Sequence, residues 1–356
     1  MAGLLKTVLI GAFLAFLGER LLHFNYRFSP FREIESIELP NCHLLQGIEC
    51  GSEDIEILPN GLAFITSGLK YPGLHSFGPD KPGEIFLLDL NQDNPQPSSL
   101  RFIGEFDHAS FSPHGLSLYT DEMDDAVYLF VVNHPQYKST VEIFKYEEEE
   151  NVLVHLKTVK HPSLYNVNDV IAVGPESFYA SNDFYFTNHI MRTVELFGGL
   201  KWTNVVYYSP SEVREVATGF YFANGLAMSA DKRFIYLSAV TGKEITVFEK
   251  HENFSLSAIK AVYLETHQDN LFVDPVNGDV WTGGHPNLWK LFNYNAEDPP
   301  GSEVVRIQNI HSDDPVVTTV YANNGSVLQG SSCAAVWKNK LLVGTVFHKA
   351  LYCQLE

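Results

Sequence analysis

The 356-residue sequence predicts an all-β fold, a six-bladed β-propeller, and three observations carry that prediction. Short alternating apolar runs bounded by Gly, Asn, Asp and Pro fill most of the chain, whereas few segments have the spacing of a long amphipathic helix. One unit then recurs six times: a polar or glycine turn, an apolar strand, a tight turn and a second apolar strand. Anchored at residues 60, 114, 168, 224, 270 and 332, these units lie 54, 54, 56, 46 and 62 residues apart, the spacing of propeller blades. A β-sandwich would turn about every 8–12 residues without this longer period.

The units begin at Asn60-Gly61-Leu62, His114-Gly115-Leu116, Asn168-Asp169-Val170, Asn224-Gly225-Leu226, Asn270-Leu271-Phe272 and Ser332-Cys333-Ala334. A four-stranded blade cannot bury both faces alone, so blades pack around a central axis, and closing the ring removes the open end. Four cysteines allow three complete pairings. The pairing Cys42–Cys353 is favoured because it ties the two termini of the propeller, expected over 25–356, and implies an oxidising compartment.

Before that propeller, residues 1–24 carry Lys6 and an apolar run from Val8 to Leu17, the length of a signal-peptide core rather than of a full membrane span. No A-x-A cleavage site follows, and Leu21, Leu22 and Phe24 resume the apolar pattern. The expectation is a retained signal or anchor segment, with an ordinary cleaved signal as the alternative. Two sequons, at Asn253 and Asn324, suit glycosylation in the secretory pathway.

Composition narrows the function. At 45% apolar and 19% charged residues the chain is a folded protein, and 43 acidic against 24 basic residues, a net charge of −19, argues against nucleic acid as a partner. If the first strand of each unit is innermost, the leading polar residues converge on the mouth of the central channel. Asn168, Asn224, Asp269 and Asn270 meet there, joined by Glu53 from Gly51-Ser52-Glu53-Asp54. Carboxylates mixed with amide carbonyls are hard oxygen donors of the kind Ca²⁺ takes. Asp54 and Asp169 follow one residue deeper, and with a carbonyl near Leu116 they suggest a second, structural cation.

His114 leads the second unit and His134 ends a strong strand of the same blade, so the two are placed to form a proton-relay pair that activates water. His285, near the inner hairpin of the fifth blade, is a weaker candidate to line the site. The G-x-S-x-G elbow fails after Gly115-Leu116-Ser117, and no G-x-G-x-x-G, Walker loop, H-E-x-x-H or complete EF-hand loop occurs. Metal-assisted hydrolysis or a non-catalytic propeller remains.

Over essentially its whole length the chain resembles the paraoxonase family of calcium-dependent lactonases and arylesterases. The resemblance is carried by Gly51-Ser52-Glu53-Asp54, Leu58-Pro59-Asn60-Gly61-Leu62-Ala63-Phe64, Val131-Val132-Asn133-His134-Pro135, Tyr207-Tyr208-Ser209-Pro210, Arg306-Ile307-Gln308-Asn309-Ile310 and the run from Gly344 to Cys353. It implies two Ca²⁺ per chain in the central tunnel of a six-bladed propeller with small helices on its top face. A catalytic ion would sit on Glu53, Asn168, Asn224, Asp269 and Asn270, and a structural ion on Asp54, Asp169 and Leu116. It also implies the His114–His134 pair, the Cys42–Cys353 disulfide, and pocket walls from Leu69, Lys70, Tyr71, Phe222, Ser332 and Val346. The implied partners are lipophilic lactones, aryl esters and a membrane or lipoprotein surface, and an oligomer is left open.

The segments Leu17-Gly18-Glu19-Arg20-Leu21-Leu22 and Tyr321-Ala322-Asn323-Asn324-Gly325-Ser326 look most like the family's membrane-bound intracellular paralogue. The sequence departs from the family pattern at Gly284, where a free cysteine is usual, at Phe184, where a histidine is usual, and from Asn188 to Trp202. The expected function is a calcium-dependent hydrolase that opens lipophilic lactones, with arylesterase and phosphotriesterase side activities. The alternative is a non-enzymatic, calcium-stiffened propeller that binds lipid or protein. Between Phe184 and Trp202, residues 186, 190, 194 and 197 fall on one face at helical spacing, and that helix is expected to lie in a lipid interface.

Overall fold

The computed structural model describes residues 2–355; Met1 and Glu356, the outer ends of the expected anchor and propeller spans, lie outside the described residues. The strands form six sheets, one per blade. The innermost strands are Ile55–Ile57, Pro113–Thr120, Val167–Gly174, Ala223–Met228, His267–Val273 and Ser331–Trp337, and each contacts the innermost strands on both sides to close a ring. Five blades are four-stranded, and the second gains a fifth strand, Arg101–Ile103, which pairs in parallel with Val152–Val159.

The middle strands read as near-continuous apolar runs because both faces are covered by neighbouring blades. Phe130, Val132 and Val141 of blade 2 pack with Val170, Phe178 and Val206 of blade 3, and the same arrangement recurs around the ring. Truncating one such buried phenylalanine to alanine costs about 3–5 kcal/mol.

The sixth blade closes the ring. Cys42–Leu44, from the N-terminal side, pairs antiparallel with Leu351–Gln354 in the register Cys42↔Cys353, and a disulfide joins those two residues. Cys50 and Cys333 are free thiols.

The first blade begins earlier than the repeat spacing places it. Its innermost strand is Ile55–Ile57, directly after Glu53 and Asp54, while Asn60 and Gly61 form the hairpin to the next strand, Leu62–Ser67. The unit Asn60-Gly61-Leu62 imitates the other five because Asx-Gly serves a hairpin as readily as a tunnel mouth.

Three α-helices meet at one end of the propeller: α1 (Ala2–Phe28), α2 (His189–Gly198) and α3 (Leu288–Phe292). Helix α1 runs through the 24/25 boundary expected from sequence, and its last turn is docked. Phe24 and Phe28 pack against Phe197 of α2 and Trp289 of α3, and the buried Arg27 donates to the Phe197 carbonyl at 3.1 Å. From Leu4 to Leu17 its large apolar side chains stay exposed. No described helix is long and apolar enough to cross a membrane.

Candidate metal centre and hydrolytic cavity

Five of the six innermost strands carry an irregularity at their mouth end; Ile55–Ile57 pairs in regular register. The ladder shifts between Pro113 and Leu116, Val167 and Val170, Ala223 and Leu226, Gln268 and Leu271, and Ser331 and Cys333. His114, Asn168, Asn224, Asp269 with Asn270, and Ser332 occupy these breaks. A bulge leaves a residue unpaired and re-aims its side chain, so residues spread over more than 200 positions converge on one point.

Two glycines permit the close approach. A Cβ at Gly115 would lie 2.2 Å from Asp169 Oδ1 and 2.8 Å from the Asn168 carbonyl, and one at Gly225 would lie 2.6 Å from Asn270 Cα. These are the positions where the strand of the next blade passes against the tunnel mouth.

Five buried oxygens there lack a hydrogen-bond partner: Glu53 Oε2, Asn168 Oδ1, Asn224 Oδ1, Asp269 Oδ1 and Asn270 Oδ1. Each comes from one of the five residues expected to hold the catalytic cation. The other side-chain polar atoms of Glu53, Asn168, Asp269 and Asn270 are engaged. Asn270 Nδ2 donates to Glu53 Oε1 and to the Glu53 carbonyl, both at 2.9 Å, and His285 Nε2 meets Asp269 Oδ2 at 2.9 Å. Ser332 Oγ donates to the Glu53 carbonyl at 2.6 Å.

Leaving one buried acceptor unsatisfied costs about 1–3 kcal/mol, so five at one point fit a group that satisfies all of them together. Two carboxylates and three amide carbonyls are hard oxygen donors suited to Ca²⁺. Only two of the five donors, Glu53 and Asp269, are of the His, Cys, Asp or Glu types, and among the described residues no group of three or more of those types is arranged to hold a metal. Burial, and then the neighbouring Asp269, push the Glu53 carboxyl well above the usual range.

One residue deeper, Asp54 Oδ2 accepts from the Leu116 amide at 2.7 Å and Oδ1 from the Ile55 amide at 2.9 Å. Asp169 repeats the arrangement one blade apart, with Val170 at 2.7 Å and Leu226 at 2.6 Å. Burial raises Asp54 to about 7 and lifts Asp169 well above the carboxylate range, the charge of Asp54 adding to the second shift. Asp54, Asp169 and Leu116 are thus brought together, with the Leu116 amide on Asp54.

Beside the five oxygens, His114 Nδ1 and His134 Nε2 stand 2.9 Å apart, both rings buried. His114 Nε2 faces the cluster, 3.6 Å from Glu53 Oε1 and 3.4 Å from Asn168 Nδ2. Burial holds both imidazoles below their ordinary value, His134 at about 3. Both are therefore neutral near pH 7, the form in which an imidazole accepts a proton.

Above the cluster opens a cavity with about 410 Å³ of free space, whose apolar wall is Leu74, Phe222, Leu288, Leu291, Phe292 and Val346. Of the six wall residues expected from resemblance, Tyr71, Phe222 and Val346 line it. Leu69 is buried in the apolar cluster behind it, Lys70 faces a different cavity, and Ser332 is spent on Glu53.

Asp183 lines the cavity as well and escaped the sequence reading. The Tyr71 hydroxyl donates to it at 2.7 Å, Asn168 Nδ2 donates at 3.3 Å, and burial raises its carboxyl to about 6. Its place in Asn182-Asp183, at the end of Ser177–Asn182, marks a strand end at the mouth and was the one available signal. Leu288, Leu291 and Phe292 come from α3, too short a helix for periodicity to reveal.

Helix α2 covers 189–198 of the 184–202 stretch read as helical. Asn188 caps it by accepting from the Ile190 and Met191 amides, and Gly199 ends it at φ 64°. Glu195 is buried on the propeller side, accepting from the Tyr185 amide at 2.9 Å. Of the expected face, Ile190 is 72% exposed and Val194 50%, whereas Phe197 stacks on Phe24 and Phe28 of α1 and Phe186 is half-buried.

The family profile described as Arylesterase matches residues 33–355. The chain is 58% identical over 355 residues to serum paraoxonase/arylesterase 2 of Gallus gallus and 55% identical to serum paraoxonase/lactonase 3 of Homo sapiens, covering 100% of both chains in each case. Among solved structures it is similar to a luciferin-regenerating enzyme, with TM-score 0.54 at 10% identity, over 87% of this chain and 94% of that one. A putative gluconolactonase gives TM-score 0.52 at 13% identity, over 90% and 96%. At such identities these two structures speak to the propeller fold alone.

Proposed function

The chain belongs to the arylesterase family, and on that footing we propose that it is a calcium-dependent ester hydrolase whose preferred substrates are lipophilic lactones, with aryl esters as secondary ones. The observation that carries this reading is the set of five unpartnered buried oxygens at the floor of an apolar cavity, within reach of a neutral imidazole pair.

Glu53, Asn168, Asn224, Asp269 and Asn270 would hold one Ca²⁺, and Asp54 and Asp169, with Leu116, a second that is structural. Bound at the first set, Ca²⁺ supplies Lewis-acid polarisation of the ester carbonyl. His114 Nε2, the ring nitrogen that faces the cluster, accepts a proton from the attacking water, and His134 keeps that ring oriented through its Nδ1. His285 holds Asp269 Oδ2, which leaves Oδ1 directed at the cluster. The wall of Phe222, Leu288, Leu291 and Phe292 receives an apolar acyl tail and keeps bulk water from the reacting carbonyl.

The exposed apolar surfaces of α1 and α2 support attachment to a membrane or lipoprotein surface in the secretory pathway, with the N-terminal segment retained. Asn253 and Asn324 are both exposed and suit glycosylation there. A panel of lactones of graded acyl length, assayed with and without a chelator, tests the reading. Turnover that rises with acyl length and vanishes on chelation is expected; a folded, calcium-loaded protein that hydrolyses no lactone or aryl ester would leave the non-enzymatic binding propeller.

A further inference from the structure

Helix α3 supplies one wall of the apolar cavity, yet it cannot hold its own place. Leu288 and Leu291 are buried and, with Phe292, line the cavity. A helix of 5 residues is too short to be stable alone, so its partners outside the cavity fix where that wall lies.

Those partners come largely from residues 24–33, where α1 ends and the chain passes towards the propeller. Asn287 joins the two. Its Oδ1 caps α3 by accepting from the Lys290 amide at 3.1 Å, and its Nδ2 donates to the Pro30 carbonyl at 3.0 Å. Trp289, which does not line the cavity, meets the ring of Phe24 edge-on at 5.4 Å and that of Phe28 at 6.4 Å. Lys290 Nζ lies 3.4 Å from Glu33 and 2.7 Å from Asp298.

The segment is itself fastened to blades 4 and 5 on both sides of Pro30. Before it, the Tyr26 hydroxyl donates to the Gly242 carbonyl at 3.0 Å. Ser29 Oγ accepts from Lys243 Nζ at 2.8 Å and lies 3.0 Å from His267 Nε2, all three residues being buried. After it, Arg32 holds the buried Glu303 through two nitrogens, at 2.7 and 2.8 Å. Such a two-point pair fixes direction as well as distance. Ser29 stands at φ 45°, an uncommon conformation for a residue with a side chain, so these bonds also set the turn that follows α1.

We infer that residues 24–33 are a specificity element: a strap, held on blades 4 and 5, that seats α3 through Asn287 and Trp289 and so sets the room left for the acyl tail of the substrate. This rests on the hydrolase reading above. The five oxygens at the cavity floor come from other elements, so the strap acts on the tail and not on the ester carbonyl. Asn287 and Phe24 are positioning residues. Loosening either lets α3 shift and weakens the grip on a long apolar tail, while a lactone with a short tail is turned over as before.

Two variants test it. Asn287→Asp keeps a cap acceptor of equal preference and removes the donor to Pro30. Phe24→Ala takes a ring from Trp289 without placing charge in a buried site, and it carries the test alone if the first variant does not fold. In each, KM for a long-acyl lactone should rise roughly 10-fold, the low end of what one methylene of pocket contact is worth, with kcat little changed. Both constants for a short-acyl lactone should stay at their wild-type values, and Phe24→Leu should recover most of the long-acyl KM. Independently of activity, hydrogen exchange read by mass spectrometry should quicken over residues 288–292 while the thermal midpoint moves little. Plain destabilisation differs, because it lowers kcat for both lactones and moves neither KM. Equal losses on both lactones, an unmoved long-acyl KM, or unmoved exchange over 288–292 overturns the proposal. If the unaltered protein hydrolyses no lactone, it is the functional reading that fails, and exchange over 288–292 still decides whether the strap seats the helix.

Discussion

His114 Nδ1 and His134 Nε2 are 2.9 Å apart although His134 lies beyond the end of the strand beside that of His114 and the two face different cavities. The contact exists because His114 sits in the bulge between Pro113 and Leu116, which turns its ring towards the residue just beyond the end of the neighbouring strand. His114→Gln removes the nitrogen that faces the cluster and should lower lactone turnover by about 10²-fold. Steady-state kinetics giving near wild-type kcat would reduce the pair to pocket lining.

The two layers of acids predict two phenotypes. Glu53→Ala or Asp269→Ala withdraws one of the two carboxylates proposed to hold the cation and should abolish lactone hydrolysis. Asp54→Ala or Asp169→Ala strips two backbone amides of their acceptor, at about 1–3 kcal/mol each. Calorimetry should then show a thermal midpoint lower by several degrees, at about 2–4 °C per kcal/mol for a chain of this class. Full activity in Asp269→Ala would overturn the ligand assignment.

Chelation should change how stability depends on pH. In the cation-free protein the folded-state values of Glu53, Asp54 and Asp169 are raised, Asp54 to about 7, so these acids stabilise at low pH and lose that contribution as pH rises through 7. The depressed imidazoles of His114 and His134 act oppositely, but only below about 6.5, their unfolded value. Above that point the acids act alone. Thermal melts in chelator should therefore fall in midpoint between pH 6.5 and 8, and melts in excess Ca²⁺ should not; matching curves would remove the cation from this cluster.

The outward face of α2 gives a prediction about surfaces. Ile190 and Val194 are exposed on that face while Glu195 anchors the helix beneath. The double change Ile190→Asp with Val194→Asp should reduce binding to phospholipid vesicles, as charge placed in an interfacial apolar face does, and leave the thermal midpoint within about 2 °C, as surface substitutions do. A collapse in stability with unchanged vesicle binding by the folded fraction would make the helix an ordinary lid.

Closure gives the last. Cys42→Ser removes a link across 311 residues, worth roughly 5 kcal/mol in chain entropy. Denaturant titration should show the midpoint fall, and adding reductant should bring the wild-type protein to the same value.

Much of the centre was legible in the linear pattern because tunnel-mouth residues recur with the blade. Asn168 and Asn224 stand at equivalent points of consecutive units, and Asp269 with Asn270 follows in the next. The first blade was misjudged by several residues, because Asn60-Gly61 carries the same turn chemistry as a true tunnel mouth and only the pairing of Ile55–Ile57 with Leu62–Ser67 separates them. Leu288, Leu291, Phe292 and Asp183 were not legible as cavity walls, since no period links a one-turn helix or a strand end to a site built from other blades.

The sequence by itself determined the blade count and the closing cysteines, and it named the five residues whose oxygens meet unpartnered at the tunnel mouth, because each is a local signal repeated at blade spacing or set at the chain's ends. Tertiary structure alone decided which oxygen of each donor remains unpartnered and which cavity each histidine faces. Those depend on how far adjacent innermost strands approach, and that approach is set by the packing of whole blades and by the missing Cβ atoms at Gly115 and Gly225. A side chain's type is written in the chain, but its direction at a bulge is fixed by the neighbour that takes up its other hydrogen bonds.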